Sequence, residues 1–537
     1  MDARKRWVLV ACILASNIVF VDGTVVNVAL PAIRDDLDAG LATQQWVIES
    51  YLLTLGSLIL IGGSLSDLYG RRRVFSAGVA GFGVTSILCA VAPNGELLIA
   101  ARGLQGVAGA LLVPSALAVI VATFDERERG AAIGSWTAWA GVATLIGPLL
   151  GGVLVDALSW RLIFAINLLP AAVTLWLIAR HLPPELDRVV HRHVDVPGAV
   201  LCAAGLAGVV LALIEQPTRG WGDPLVGPPL AAGTACLALF FVQESRAREP
   251  MLPLGLFRRR NFAIGNLATF AIYAGLGVAT FFLPLYLQQV AGYSAVEAGL
   301  SLMPLTLIMF ALTKRFGALA DRIGPRAFMG AGPVVAAAGL ALLVRVSEDA
   351  PYASDVLPAA VLFGLGLAIT VAPLTAAVLA DADQEHAGIA SGVNNAIARI
   401  AGLVAIAAVG AVVSAQFGSR LDDAVAGATV GPAARAALDD MRTRPLTSDV
   451  PASVRGQPRA TLRAAAADAS VDAFRAGMAA SALLVLAGGL ISAAGIRNPR
   501  REVPCAGCPG GALVGASEDV ARAGPARPEP AAAGAPG

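Results

Sequence analysis

Long apolar runs alternate with short polar breaks along almost the whole chain. Runs of about 20 residues recur, and each is long enough to cross a bilayer as a helix. Fourteen spans are expected, near 8–29, 46–66, 75–93, 97–122, 131–155, 161–180, 197–216, 225–243, 262–287, 296–316, 328–346, 357–380, 387–415 and 473–496. Two segments fall outside this pattern. Residues 416–472 read as a long polar loop in which "AARAALDDMRT" and "RATLRAAAADAS" suit short helices. Residues 497–537, rich in Pro, Ala and Gly, read as a disordered tail. The first run follows Arg4-Lys5-Arg6 like a signal peptide, but it is too long and lacks a small-residue cleavage site, so it reads as a retained span.

Composition supports the pattern. Of 537 residues, 56% are hydrophobic and 14% charged, and the mean hydropathy is +0.71, which excludes an ordinary soluble protein. The chain reads as an all-α polytopic membrane protein. Its two lysines, Lys5 and Lys314, stand against 37 arginines, a usage that suggests a GC-rich bacterial genome. With the N-terminus placed in the cytoplasm, the short inner segments carry 20 basic residues, and the short outer loops carry four: Arg34, Arg161, Arg219 and Arg345. This asymmetry puts both termini in the cytoplasm. Trp46, Trp160 and Trp221 then fall at outer interfaces. Four cysteines sit inside apolar runs, and Cys505 and Cys508 form a lone CxxC without the second pair that a zinc site needs.

The chain repeats itself. "GSLSDLYGRRR" from Gly63 and "GALADRIGPR" from Gly317 share Gly63/Gly317, Asp67/Asp321, Gly70/Gly324 and Arg72/Arg326 at an offset of 254. Leu30-Pro31 and Leu283-Pro284 share an offset of 253. Such spacing indicates two halves of one ancestral bundle. Setting aside the spans near 197–216 and 225–243 leaves six plus six. The expected organisation is a first half at 1–180, two additional helices with linkers at 181–260, a second half at 261–496, and the tail.

Several stretches carry chemistry. Asp22 stands in the apolar run "IVFVDGTVVNVALP", and Arg102 opens "RGLQGVAGA". Counted along their spans, Asp22, Arg102 and Glu49 come to similar levels in the first half, whereas Gly275 and Leu276 occupy the place matching Asp22 in the second. A carboxylate costs about 2.5–3.5 kcal/mol at the centre of a membrane helix on insertion scales, so it must serve a purpose there. Asp22 either binds and releases a proton as its exposure and its distance from Arg102 change, or pairs with Arg102 to hold helices together. Glu49 is either a second titrating group or an interfacial residue beside Trp46. In "GVATLIGPLLGG", Ala143, Gly147 and Gly151 form one small-residue stripe on which another helix can pack, and Pro148 should bend the span. Gly152 completes the motif. In the loop motif, Gly63 suits close helix packing and Gly70 a tight turn. Asp67 and Arg71 to Arg73 can pair across the inner face, or the arginines can serve as plain anchors. The recurrence at Asp321 favours a latch.

Taken together, these motifs resemble the major facilitator superfamily, and within it the fourteen-span drug:proton antiporters, over residues 7–496. "VDGTVVNVALP", "WRLIFAIN", "EPMLPLGLF" and "LPLYLQQVAGYSAVEAGL" also match that branch. The resemblance implies two six-helix halves plus two central helices, and a conformational latch at Gly63, Asp67, Gly70, Arg71, Arg72, Asp321 and Arg326. It implies an antiporter motif at Gly147, Pro148, Gly151 and Gly152, and proton coupling at Asp22, Arg102 and Glu49. The expected activity is export of an amphipathic small molecule, cationic if Asp22 attracts it, in exchange for protons across the bacterial inner membrane. A dedicated exporter of one metabolite or antibiotic is the main alternative. A proton-coupled importer and a non-transporting sensor stand further back. Neither lysine follows a phosphate-binding loop, four scattered histidines offer no metal site, and no nucleophile motif is present, so no enzyme activity is expected. A monomer in the lipid bilayer, without cofactor, metal or nucleic acid, is expected.

Overall fold

The computed structural model describes residues 3–183, 195–248, 250–380, 387–425, 432–451, 454–455 and 457–498. The tail and its CxxC, and His191 and His193, lie outside them. The described residues are helical, with no strand among them. In the first half, α1 is Ala3–Leu37, α2 Leu41–Tyr69, α3 Arg71–Ala90, α4 Gly95–Thr123 and α5 Glu126–Ala157. The short α6, Leu162–Ala165, and α7, Leu168–His181, complete it. The additional pair is α8, Val196–Arg219, and α9, Gly227–Arg246. The second half begins with α10, Arg260–Gln289, α11, Ala295–Ser301, and α12, Met303–Ile323. It continues with α13, Pro325–Leu342, α14, Leu357–Ala380, and α15, Ala387–Val425, and ends with α16, Pro432–Arg442, and α17, Gln457–Gly495.

Twelve stretches among the described residues are long and apolar enough to cross a membrane, and α2, bent by 57° between Ile59 and Ile61, makes up to thirteen. Helix α9 is not among them, so this criterion stops one short of the fourteen expected. The internal repeat is visible in the backbone. Gly70 joins α2 to α3 at φ +95°, and Gly324 joins α12 to α13 at φ +103°. A side chain is strained in that region, which is why glycine stands at both turns.

The polar segment 416–472 is mostly helix. Helix α15 runs on to Val425, α17 starts at Gln457, and α16 lies between them. "RATLRAAAADAS" is the opening of α17 rather than a separate short helix. The apolar side of α16 explains its fold: Ala437, Leu438 and Met441 are buried with Leu421 of α15 and Leu462 of α17 in one core.

Helix α8 lies along the seam between the halves. Its Leu206, Val210 and Ile214 share a core with Leu53 of α2 and with Leu403 and Ala407 of α15. At the end of the bundle away from the N-terminus, hydrogen bonds tie the halves together. Arg34 donates to Gln289 at 3.0 Å, Gln288 to the Val28 carbonyl at 3.1 Å, and Gln45 to the Ile406 carbonyl at 3.0 Å. Asp156 accepts from the backbone N–H groups of Ala295 and Val296 at 3.1 and 2.9 Å. The segment after α16 joins this closure. The Leu41 N–H donates to the Thr443 carbonyl at 3.4 Å, and Arg444 pairs with Asp38 at 2.9 Å.

Candidate functional site

Asp22 and Arg102 meet. Both side chains are fully buried, and Arg102 Nη1 donates to Asp22 Oδ2. Two amides complete the carboxylate's environment: Gln105 Nε2 donates to Oδ1 at 3.1 Å and Asn167 Nδ2 at 3.0 Å. Gln105 also accepts from Arg102 at 2.7 Å and donates to Ser86 Oγ at 2.9 Å. Arg102 Nε donates to the Val47 carbonyl at 3.0 Å, and its guanidinium lies 4.2 Å from the Tyr51 ring centroid. The site therefore draws on α1, α2, α3, α4 and the α6–α7 junction. A buried pair of this kind is tolerable only when the remaining lone pairs and protons are also satisfied, as most are here. Arg102 Nη2 is the atom left without a partner.

The level reached by counting along spans is therefore right for Asp22 and Arg102, and it is incomplete. Gln105, Asn167 and Ser86 were not singled out. Gln105 had a signal, since it sits three residues after Arg102 on the same face of α4. Glu49 is not part of the network. It is fully buried rather than interfacial, and neither carboxylate oxygen has a hydrogen-bond partner among the described residues. The asymmetry between halves has a steric cause. A Cβ on Gly275 would stand 2.3 Å from Val485 and 2.9 Å from the Ser481 carbonyl, so α17 packs where a carboxylate would have to go.

The α5 motif lies between α1 and α11. A Cβ on Gly147 would meet the Thr24 hydroxyl at 2.0 Å and one on Gly151 would meet Val25 at 2.7 Å, so both pack on the turns of α1 around Asp22. Gly152 faces the second half, where its Cβ would lie 2.6 Å from the Val296 Cα. Across the same contact, Gly299 of α11 lies so close to Pro148 that its Cβ would be 2.5 Å from the Pro148 carbonyl. One helix thus touches the buried ion pair's helix on one side and the opposite half on the other.

At the α2–α3 turn, Arg71 Nη2 and Nε donate to Asp67 Oδ1 at 3.1 and 3.2 Å. The close approach expected at Gly63 belongs to its neighbour: a Cβ on Gly62 would stand 2.1 Å from the Ala110 carbonyl, whereas one on Gly63 would reach Pro114 at an ordinary 3.9 Å. Successive helix residues differ by about 100° around the axis, so Gly62 points straight at the α4 backbone and Gly63 only past its edge. In the second half, Asp321 is exposed, and Arg326 donates to the Ala493 carbonyl of α17 at 2.8 Å. Arg72 contributes its backbone carbonyl to Ser76.

The sequence pattern of the Major Facilitator Superfamily matches residues 12–406. The chain belongs to that superfamily. Superfamily relatives include the puromycin resistance protein pur8 of Streptomyces alboniger, 38% identical over 79% of this chain and 84% of its own. The tetracenomycin C resistance and export protein of Streptomyces glaucescens is 35% identical over 80% and 81%. The multidrug resistance protein Stp of Mycobacterium tuberculosis (strain CDC 1551 / Oshkosh) is 34% identical over 82% of each chain. Among solved structures, an inward-facing bacterial homologue of the human lysosomal transporter Spinster superposes with a TM-score of 0.63 at 15% identity, over 93% of this chain and all of its own. That likeness concerns the fold. The major facilitator resemblance carried by the motifs stands, and the chain is a multi-span membrane protein of a transporter family.

Proposed function

We propose that this protein is a proton-coupled antiporter that exports amphipathic organic compounds across the bacterial inner membrane by alternating access, with both termini in the cytoplasm. Its relatives' names speak of resistance to, and export of, antibiotics, which supports efflux. The observation that carries the coupling is the buried Asp22–Arg102 pair on a helix that also packs against the α5 motif. As the halves rock, α5 shifts against α11, and α1 is held to α5 through Gly147 and Gly151. Drawing Asp22 away from Arg102 would leave a buried carboxylate without its counter-charge. Such a group gains more by taking a proton than by staying charged in low dielectric. Restoring the pair expels the proton. With both termini in the cytoplasm, the hydrogen bonds between the halves at the far end support reading this conformation as one whose outer side is shut. Gly70 and Gly324 with Asp67, Arg71, Arg72, Asp321 and Arg326 steady the opposite face.

The test uses proteoliposomes. An imposed pH gradient without ATP should drive substrate movement, and substrate should release protons. Asp22→Asn keeps size and polarity and loses the titration, so it should insert normally and lose gradient-driven efflux. Asp22→Glu should retain part of it. Wild-type proton coupling in Asp22→Asn would remove Asp22 from the mechanism and make Glu49 the next candidate.

A further inference from the structure

Arg399 lies on α15, twelve residues from Ala387, which places it about 18 Å along the helix and inside its apolar run. It stands at the seam between the halves, where a Cβ on Gly56 of α2 would lie 3.6 Å from its own Cβ. The outer side of that seam is covered by α8. Tyr51 from the first half and Tyr273 from α10 are close enough to feel its charge. Arg399 is half-buried, its nitrogens are not among the sealed unpaired atoms, and it has no hydrogen-bond or ion-pair partner among the described residues. Its Cβ lies against α2 of the first half, with α8 packed on the same two helices. Intramembrane charges without a protein partner mark substrate or ion pathways.

The carboxylates complete the argument. Asp22 is fully buried and committed to Arg102, Gln105 and Asn167. Glu49 is fully buried as well. Neither presents an oxygen to a passing cation. We propose that Arg399 is the anchor for an acidic group of the exported compound, so that the cavity takes aromatic organic anions in preference to cations. The planar guanidinium matches a carboxylate or phenolate through paired N–H donors, and the half-buried Tyr273 offers a ring near it. This rests on the reading above that the compound passes between the halves, and it replaces the expectation of a cationic substrate.

The test is equilibrium binding to the purified full-length protein in nanodiscs, read by dye anisotropy. Fluorescein and rhodamine 123 share a xanthene ring system and carry opposite charge. Wild type should bind fluorescein more tightly than rhodamine 123. Arg399→Gln should weaken fluorescein by about tenfold, the scale of one lost charged contact, and spare rhodamine 123, while Arg399→Lys should recover part of the loss. A wild-type preference for rhodamine 123, or no binding of fluorescein, overturns the proposal. So does an unchanged fluorescein affinity in Arg399→Gln. Equal loss of both dyes overturns it too, because that is the signature of a structural partner, such as Glu49 in another state. No gradient is involved, so failure of proton coupling in proteoliposomes and failure of this binding preference are separate results.

Discussion

Gln105 touches three members of the buried site, accepting from Arg102 and donating to Asp22 and Ser86. Gln105→Leu should therefore cost about 1–3 kcal/mol of stability, because it strands a buried donor and acceptors together. Arg102→Ala should be worse, at about 3–5 kcal/mol, since it leaves a buried charge alone. Thermal unfolding in detergent orders the two, and equal effects would show that the amide carries as much as the ion pair. Residue-level chemistry was partly legible in the sequence. A charge in an apolar run is conspicuous, and two of opposite sign at one level suggest each other. A lone Gln, Asn or Ser in such a run is not conspicuous, since it can bond its own helix backbone. Nothing local distinguishes Asn167, which reaches Asp22 from 145 residues away. Arg399 is likewise a charge in an apolar run, but its place at the seam follows only from α2 and α15 lying side by side.

At the scale of helices, the two faces of α5 make different demands. Thr24, opposite Gly147, presents a hydroxyl that can rotate, whereas Val296 and Ala295, opposite Gly152, present backbone. Gly147→Ala should thus be tolerated with reduced transport and Gly147→Leu should not. Gly152→Ala should impair transport more than Gly147→Ala, because only separating the halves makes room. Wild-type efflux in Gly152→Ala at matched protein levels would count against a seam there. The stripe was legible from its spacing, but which neighbour each glycine meets was not, and the one-residue difference between Gly62 and Gly63 shows why: each step turns the contact by about 100°. The additional pair of helices carries its own test. At its N-terminal-side end, just past the span expected to finish at residue 243, Glu244 is buried beside Asp195, which caps α8. A Cβ on Gly198 would stand 2.4 Å from Asp195 Oδ2 and 2.7 Å from Glu244 Oε1, so the two carboxyl oxygens converge. Burial pushes the Glu244 carboxyl up to about 7, the Leu252 N–H opposes this, and the Asp195 charge adds to it. Gln243, which donates to Asp195 at 3.1 Å, and Cys202 are the other groups close by. A raised carboxyl stabilises the folded protein while protonated, so this contribution is full in acid and is lost as pH rises through about 7. The unfolding temperature should fall as pH rises from about 4.5 to about 7 and level off above it. Glu244→Gln, which donates permanently, should flatten that slope, and an unchanged slope would place its source elsewhere.

For the molecule as a whole, the twofold plan was legible because it is written as an offset: Gly70 and Gly324 take the same rare backbone angle 254 residues apart. The long polar segment was not legible, since Ala-rich charged sequence reads equally well as loop or as exposed helix, and only the core it shares with α15 and α17 decides. That segment has a consequence for how the protein can be controlled. It is covalently part of the second half, yet Thr443 and Arg444 hold the α1–α2 turn of the first. With the orientation proposed above, this clasp faces the surroundings of the cell and must let go whenever the outer side opens. Arg444→Ala, which removes the ion pair with Asp38 and leaves the rest of the segment in place, should loosen the clasp and change the rate of efflux at matched protein levels. By the same logic, an antibody fragment against residues 440–450 should act as a brake applied from outside. It would meet neither the lipid nor the cavity, and the exported compound could not compete it away.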